Sequence, residues 1–278
     1  MTAVRASFRT RLEASARTNR SLLCVGLDPD PARIPDGVST RDFLLGIVEA
    51  TADVAACYKP NLGFFEPDLG AGVELVRELI EGIHAVGLPV LLDAKRGDIG
   101  NTASGYAKAV FEALDADAVT LSPYMGGDSL EPFLAYEDRT SFILCRTSNP
   151  GARDLQDLRV GDRQEPLYAH VARLANEWNR HDNVGLVVGA TYPQEAAEVR
   201  AICPTLPILM PGVGAQAGDL EAAVQAGVDA LGGNLIVNAS RGVLYAPPAA
   251  SSDRPAWAEG ARVAAVALRD AINAARGA

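Results

Sequence analysis

The chain is poor in several things, and each shortage removes a class of function. Aromatic residues make up 6% of its 278 positions, with two tryptophans, so the core must be built from aliphatic side chains. No apolar run approaches the ~20 residues needed to span a bilayer. There is no Lys/Arg-rich block, and the formal net charge is −10, which opposes nucleic-acid binding. Any anionic ligand must therefore meet positive charge inside its own pocket. The four cysteines, Cys24, Cys57, Cys145 and Cys203, form no C-x-x-C pair, and three lie in apolar runs. They read as small buried thiols in a reducing cytosol, which implies a cytoplasmic protein. The three histidines, His84, His170 and His181, fall in expected helical stretches without metal-ligand spacing.

What is present is alternation. Short apolar runs at 22–28, 54–59, 89–94, 118–122, 141–146, 184–188, 207–210 and 231–237 fit buried parallel strands. Amphipathic stretches follow them, most clearly at 72–86, 102–114, 166–181, 194–202, 218–226 and 257–275. Eight β-then-α units predict an α/β fold of the (β/α)8 TIM-barrel type. A doubly wound sheet would carry a glycine-rich turn after its first strand, and here that turn is Leu27-Asp28-Pro29-Asp30. No linker divides the chain, so 1–278 reads as one domain. The segment 246–256 reads as a surface loop, and 151–165 as a polar excursion able to act as a lid. The N-terminus carries Arg5, Arg9, Arg11, Arg17 and Arg20 against a single Glu13, a composition found in transit peptides. Val4, Phe8 and Leu12 recur at helical spacing, which favours an extra N-terminal helix closing one end of the barrel.

Barrel enzymes carry their chemistry at the C-terminal strand ends. Those ends hold Asp28, Tyr58-Lys59-Pro60-Asn61, Asp93-Ala94-Lys95-Arg96-Gly97-Asp98, Thr147-Ser148, Gly212-Val213-Gly214-Ala215-Gln216 and Asn238-Ala239-Ser240-Arg241-Gly242. Asp93 and Lys95, two apart on a strand, share a face. An ammonium flanked by carboxylates is held in its charged form, so Lys95 suits proton donation to a carbanion better than nucleophilic attack. The glycines of the seventh loop expose backbone N–H groups ahead of a helix, and Arg241 adds a fork of donors, which together suit a phosphate. Their spacing is not G-x-G-x-x-G, so a dinucleotide is disfavoured. No metal cluster or cofactor motif is visible. The residues thus predict a phosphorylated small molecule and proton transfer at a carbanion.

Asp93-Ala94-Lys95-Arg96-Gly97-Asp98-Ile99 resembles the signature of orotidine 5′-phosphate decarboxylases. Lys59 in Tyr58-Lys59-Pro60-Asn61, Ser122-Pro123-Tyr124-Met125-Gly126 and the Gly212–Gln216 loop are similar to further stretches of that family, and the resemblance runs from about 22 to 245. Length and the Lys59-Pro60-Asn61 form look like its longer bacterial (type 2) branch. The resemblance implies cofactor-free conversion of orotidine 5′-monophosphate to UMP and CO2 by a homodimer. It implies a catalytic network of Lys59, Asp93, Lys95 and Asp98, with Asp98 reaching into the partner's site and Thr102 beside it at the ribose. It further implies Asp28 and Lys59 at ribose hydroxyls, Ser148 at the pyrimidine edge, and Gln216 and Arg241 at the phosphate, with backbone help near Ser240. Asn238–Gly242 departs from the glycine-arginine pairing of the shorter branch.

Two other readings compete. Mg2+-dependent sugar-phosphate decarboxylases and synthases of the same barrel superfamily share D-x-K-x-x-D, but resemble a chain with a Glu ligand where Lys59 stands, and a cation there repels Mg2+. A nucleotide-binding barrel without catalysis has no use for Asp93 beside an anionic substrate.

Overall fold

The computed structural model describes residues 5–212 and 220–277. Eight strands form the barrel: β1 (Leu23–Leu27), β2 (Cys57–Pro60), β3 (Leu91–Arg96), β4 (Ala118–Leu121), β5 (Thr140–Arg146), β6 (Val184–Val188), β7 (Ile208–Pro211) and β8 (Leu235–Ala239). Their order is β2-β1-β8-β7-β6-β5-β4-β3, all neighbours parallel. Parallel bridges Tyr58–Val90 and Asn61–Asp93 bring β2 to β3 and close the ring. The outer layer comprises α2 (Thr40–Thr51), α3 (Leu69–Ala85), α4 (Gly100–Lys108), α5 (Glu131–Leu134), α6 (Leu167–Trp178), α7 (Pro193–Ile202), α8 (Leu220–Gly227), α9 (Arg241–Leu244) and α10 (Ala256–Ala275), and α1 (Phe8–Thr18) precedes the barrel.

Side chains on a strand alternate between the barrel interior and the helix layer. Cys24, Cys57, Leu91, Ala118, Phe142, Val187, Leu209 and Ile236, one from each strand, pack together inside. Phe8 of α1 is fully buried against this layer and meets Phe142 edge-on at 5.9 Å. The N-terminal helix therefore plugs the bottom of the barrel, and burying that ring is worth ~1.5–3 kcal/mol. Three of the arginines of this segment have structural partners. Arg5 and Arg11 both pair with the buried Asp117, and Arg9 pairs with Asp182. Asp117 also accepts from Val90 N–H at 2.8 Å and bonds His84 Nε2 at 2.9 Å. Val4 lies outside the described residues.

Most expected boundaries hold to within a few residues, and the departures have local causes. The eighth strand was expected at 231–237 but runs Leu235–Ala239. The Asp229 carboxylate accepts from Leu231 N–H at 2.9 Å, Gly233 N–H at 2.8 Å and Asn234 Nδ2 at 2.7 Å, which builds a turn and leaves Leu231 exposed. The expected helix 166–181 stops at Trp178, because Asn179 Oδ1 takes the Val184 N–H and turns the chain into β6. His181 therefore sits beyond the helix. The expected helix 102–114 is α4 followed by one π-turn, Ala109–Ala113. The stretch 151–165 is folded on itself: a 3-10 helix at Pro150–Asp154 leads into a two-stranded ribbon of Arg159–Val160 and Glu165–Pro166. All four cysteines are free and buried, and burial pushes the Cys145 thiol up and the Cys203 thiol to about 11.

Candidate active site

Two residues above the apolar plug layer, the interior positions turn polar. Lys59 stands above Cys57, Asp93 above Leu91, Thr120 above Ala118 and Asn238 above Ile236. Lys59 Nζ donates to Asp93 Oδ2 at 2.9 Å, and Lys95 Nζ donates to Asp93 Oδ1 at 2.7 Å. Thr120 Oγ1 also donates to Asp93 Oδ1, at 2.9 Å, and accepts the backbone N–H groups of Ala94 and Lys95, both at 3.0 Å. One carboxylate thus ties two ammonium groups from neighbouring strands, and one hydroxyl ties that carboxylate to the end of β3.

The end of β3 is irregular. Its register against β4 shifts between Leu92 and Arg96, and Lys95 has φ +47°, a left-handed conformation unusual for a residue with a side chain. Such strain persists where surrounding bonds over-determine it. Here the Thr120 hydroxyl and the Asp93–Lys95 ion pair do so, and the Lys95 side chain stays half exposed at the barrel mouth.

Charge in the array is strongly conditioned by burial. Burial alone pushes the Asp93 carboxyl up, but Lys59 and Lys95 outweigh it and hold it down at about 2. Burial pushes Lys59 down, while Asp93 and then Asp28 raise it, with a net shift above the ordinary lysine value. Both groups are therefore ionised at neutral pH.

A cavity of about 830 Å³ opens over Lys59 and Asp93 of this array, and Asp28, Gly212, Ser240 and Arg241 also line it. Asp28 lies just past β1. Its Oδ2 accepts from Ser240 Oγ at 2.6 Å, and its Oδ1 is buried without a hydrogen-bond partner among the described residues. Ser240 is placed beside Asp28 because β1 carries Gly26. A Cβ on Gly26 would lie 2.0 Å from Ser240 Oγ and 3.2 Å from Asn238 Nδ2. Gly26→Ala should displace Ser240 and release Asp28, costing ~1–3 kcal/mol of stability as overpacking does. Urea denaturation and substrate KM should both report it; wild-type values of both would show that the Ser240–Asp28 contact is dispensable.

Arg241 is exposed at the start of α9, lines the cavity, and has no ion pair among the described residues. Ser148 stands at the exit of β5, with its Cβ 2.9 Å from where a Cβ on Gly189 would sit. Its Oγ is 3.9 Å from the corresponding point on Gly212. Gln216 and the rest of 213–219, including the expected helix start at Gly218, lie outside the described residues.

Asp98 and Thr102 are not brought to the array of their own chain. Asp98 Oδ1 accepts from Ile99 N–H at 2.8 Å, and its carboxylate makes no ion pair among the described residues. Thr102 is exposed on the first turn of α4. Lys95 therefore meets one carboxylate within the chain, where two were expected. Thr120 and Gly26 were not singled out from the sequence, and Asn61 and Asn238 were named there at strand ends without a role. Each is a polar or missing side chain at an inward position of an otherwise apolar strand or at its end, and that alternation was the available signal. A second cavity, about 1180 Å³, lies at the opposite face between α1, α10 and the turn before β8, and holds none of these residues.

Comparison with known proteins agrees with this geometry. The sequence model of the Orotidine 5′-phosphate decarboxylase / HUMPS family matches residues 21–254. A curated orotidine 5′-phosphate decarboxylase from Roseiflexus castenholzii is 53% identical over 277 residues, covering 97% of this chain and 98% of that protein. Another, from Azoarcus sp., is 51% identical and covers 97% and 99%. The solved structure of Leishmania donovani OMP decarboxylase superposes with a TM-score of 0.85 at 45% identity, covering 98% of this chain and 99% of that one. The chain belongs to the orotidine 5′-phosphate decarboxylase / HUMPS family.

Proposed function

We propose that the chain decarboxylates orotidine 5′-monophosphate to UMP and CO2 in de novo pyrimidine biosynthesis, as a cofactor-free cytoplasmic enzyme. The observation that carries this reading is the Lys59–Asp93–Lys95 array: a carboxylate kept ionised beside two ammonium groups at the mouth of the barrel.

The C6–carboxylate bond breaks, the electron pair stays on C6, and CO2 leaves. Lys95 gives its proton to C6 and regains one from solvent. A fixed ammonium beside the developing carbanion stabilises it without reorganisation. Asp93 bonds both lysines, which supports a positioning role for it. Asp28 and Lys59 take the ribose hydroxyls, and Ser148 takes the pyrimidine edge. Arg241 and Gln216 take the phosphate, far from C6, where binding energy can organise the loops. Ser240 contributes its backbone there, because its hydroxyl is engaged by Asp28.

The working form is a homodimer in which Asp98 and Thr102 complete the partner's site. Exposed apolar side chains surround the exits of β3 and β4, namely Ile99, Tyr106, Tyr124 and Met125, on the same edge as Asp98. Met125 Cε lies 3.8 Å from the Cβ position of Gly97, the residue before Asp98. An exposed apolar group flanked by charge is the surface a second copy buries.

One experiment tests reaction and assembly together. Purified protein, with EDTA present, should bleach the absorbance of orotidine 5′-monophosphate. Lys95→Ala and Asp98→Ala homodimers should each be nearly inactive. Mixing the two under exchange should restore about one quarter of wild-type activity, since half the dimers are hybrids and each carries one intact site. No bleaching by wild type refutes the reaction; no recovery on mixing refutes the crossed site.

A further inference from the structure

The polar excursion after β5 bears on the site in a way its sequence did not suggest. Gln156 uses its side-chain amide twice on one residue: Thr147 N–H donates to Gln156 Oε1 at 2.9 Å, and Gln156 Nε2 donates to Thr147 Oγ1 at 2.8 Å. Its backbone is committed as well, with its N–H on Ala152 O at 2.8 Å and its carbonyl accepting Tyr168 N–H at 3.2 Å. Each of its four polar groups thus makes a hydrogen bond, two of them to Thr147.

The next residue along meets the preceding strand position through charge, without hydrogen-bond geometry. Asp157 pairs with Arg146 at 2.8 Å, and the Arg146 guanidinium is buried, lying 4.4 Å from the Tyr192 ring and 5.4 Å from the Tyr168 ring. Gln156–Asp157 thus grips Arg146–Thr147, the two residues just before Ser148. On its other side Ser148 packs against Gly189, where a methyl group would come within 2.9 Å of Ser148 Cβ and 3.1 Å of its backbone nitrogen.

We propose that Gln156 is a positioning residue for Ser148, through which the 151–165 excursion clamps the exit of β5. The inference rests on the reading of Ser148 as the group at the pyrimidine edge. The clamp fixes the backbone direction at Thr147, so the Ser148 hydroxyl is presented to substrate without first being ordered. Preorganisation of this kind matters because a displacement near 1 Å at a reacting site can cost ~10²-fold.

The test is a double-mutant cycle on kcat/KM, using Gln156→Leu, which removes both bonds, and Gln156→Glu, which keeps only the acceptor for Thr147 N–H. Ser148→Ala supplies the second arm, and thermal unfolding is measured alongside. Gln156→Leu should lower kcat/KM by about 10- to 100-fold in the Ser148 background, and have little effect once Ser148 is Ala. Gln156→Glu should recover part of the loss. Any drop in Tm should be the same in both backgrounds, which separates folding from positioning. Wild-type kcat/KM in Ser148→Ala would overturn the reading of Ser148 itself. A normal Ser148→Ala loss, with Gln156→Leu either harmless or equally costly in both backgrounds, would overturn the inference alone.

Discussion

Lys95→Ala should fold normally and lose at least ~10⁴-fold in kcat. A positioned general acid contributes up to about that factor, and fixed charge at a developing carbanion adds to it. The side chain is half exposed and its backbone is held by Thr120 through the Ala94 and Lys95 N–H groups, so removing it opens no cavity. It also relieves nothing at φ +47°, since alanine carries the same Cβ. The loss should therefore appear in kcat while UMP binding and Tm stay near wild type. Turnover within tenfold of wild type would remove Lys95 from the chemistry.

Asp93→Asn should be the most damaging change to stability, and should slow the reaction as well. It keeps the shape of the side chain but leaves two ammonium groups facing an amide. Lys59 is fully enclosed, and breaking a buried pair by removing one partner costs about 3–5 kcal/mol. With its main countercharge gone, burial should pull the Lys59 pKa below the ordinary lysine value. The kcat should fall ~10²–10⁴-fold, because Lys95 loses the bond that aims it. The acid limb of stability gives an independent check. Asp93 has its pKa depressed in the folded protein, so its contribution is present above the unfolded carboxylate value, about 3.9, and is lost as pH falls toward about 2. Stability of the wild type should fall across that window, and Asp93→Asn should show a shallower slope there. Equal slopes in urea titrations at pH 4 and below would mean that Asp93 is not the ionised centre of the array.

Much of this was readable in the chain because buried parallel strands are continuous apolar runs, and all eight appear as such. The last was misplaced because Leu231 is apolar yet sits on a turn built by Asp229, a side-chain effect that periodicity does not carry. Lys59, Asp93 and Lys95 were legible because charged residues ending apolar runs of a barrel have few other reasons to be there. Thr120 was not, since a threonine is an ordinary strand residue; only its register, two above Ala118, marks it as facing Asp93. Ser240 shows a different limit. Its neighbours suggested phosphate, but its hydroxyl meets Asp28 across the gap left by Gly26, a contact between residues 212 positions apart. The 151–165 excursion read as a lid because it is polar; that two of its polar residues, Gln156 and Asp157, meet Thr147 and Arg146 is a tertiary contact that composition does not carry.

The most direct measurement is the fate of C6. Orotidine 5′-monophosphate should be given to the purified protein in D2O with EDTA, and the product examined by proton NMR. The account predicts UMP that carries deuterium at C6, formed rapidly by wild type and at least ~10⁴-fold more slowly by Lys95→Ala. Unchanged substrate with folded wild-type protein, or deuterated UMP formed equally fast by Lys95→Ala, would contradict it.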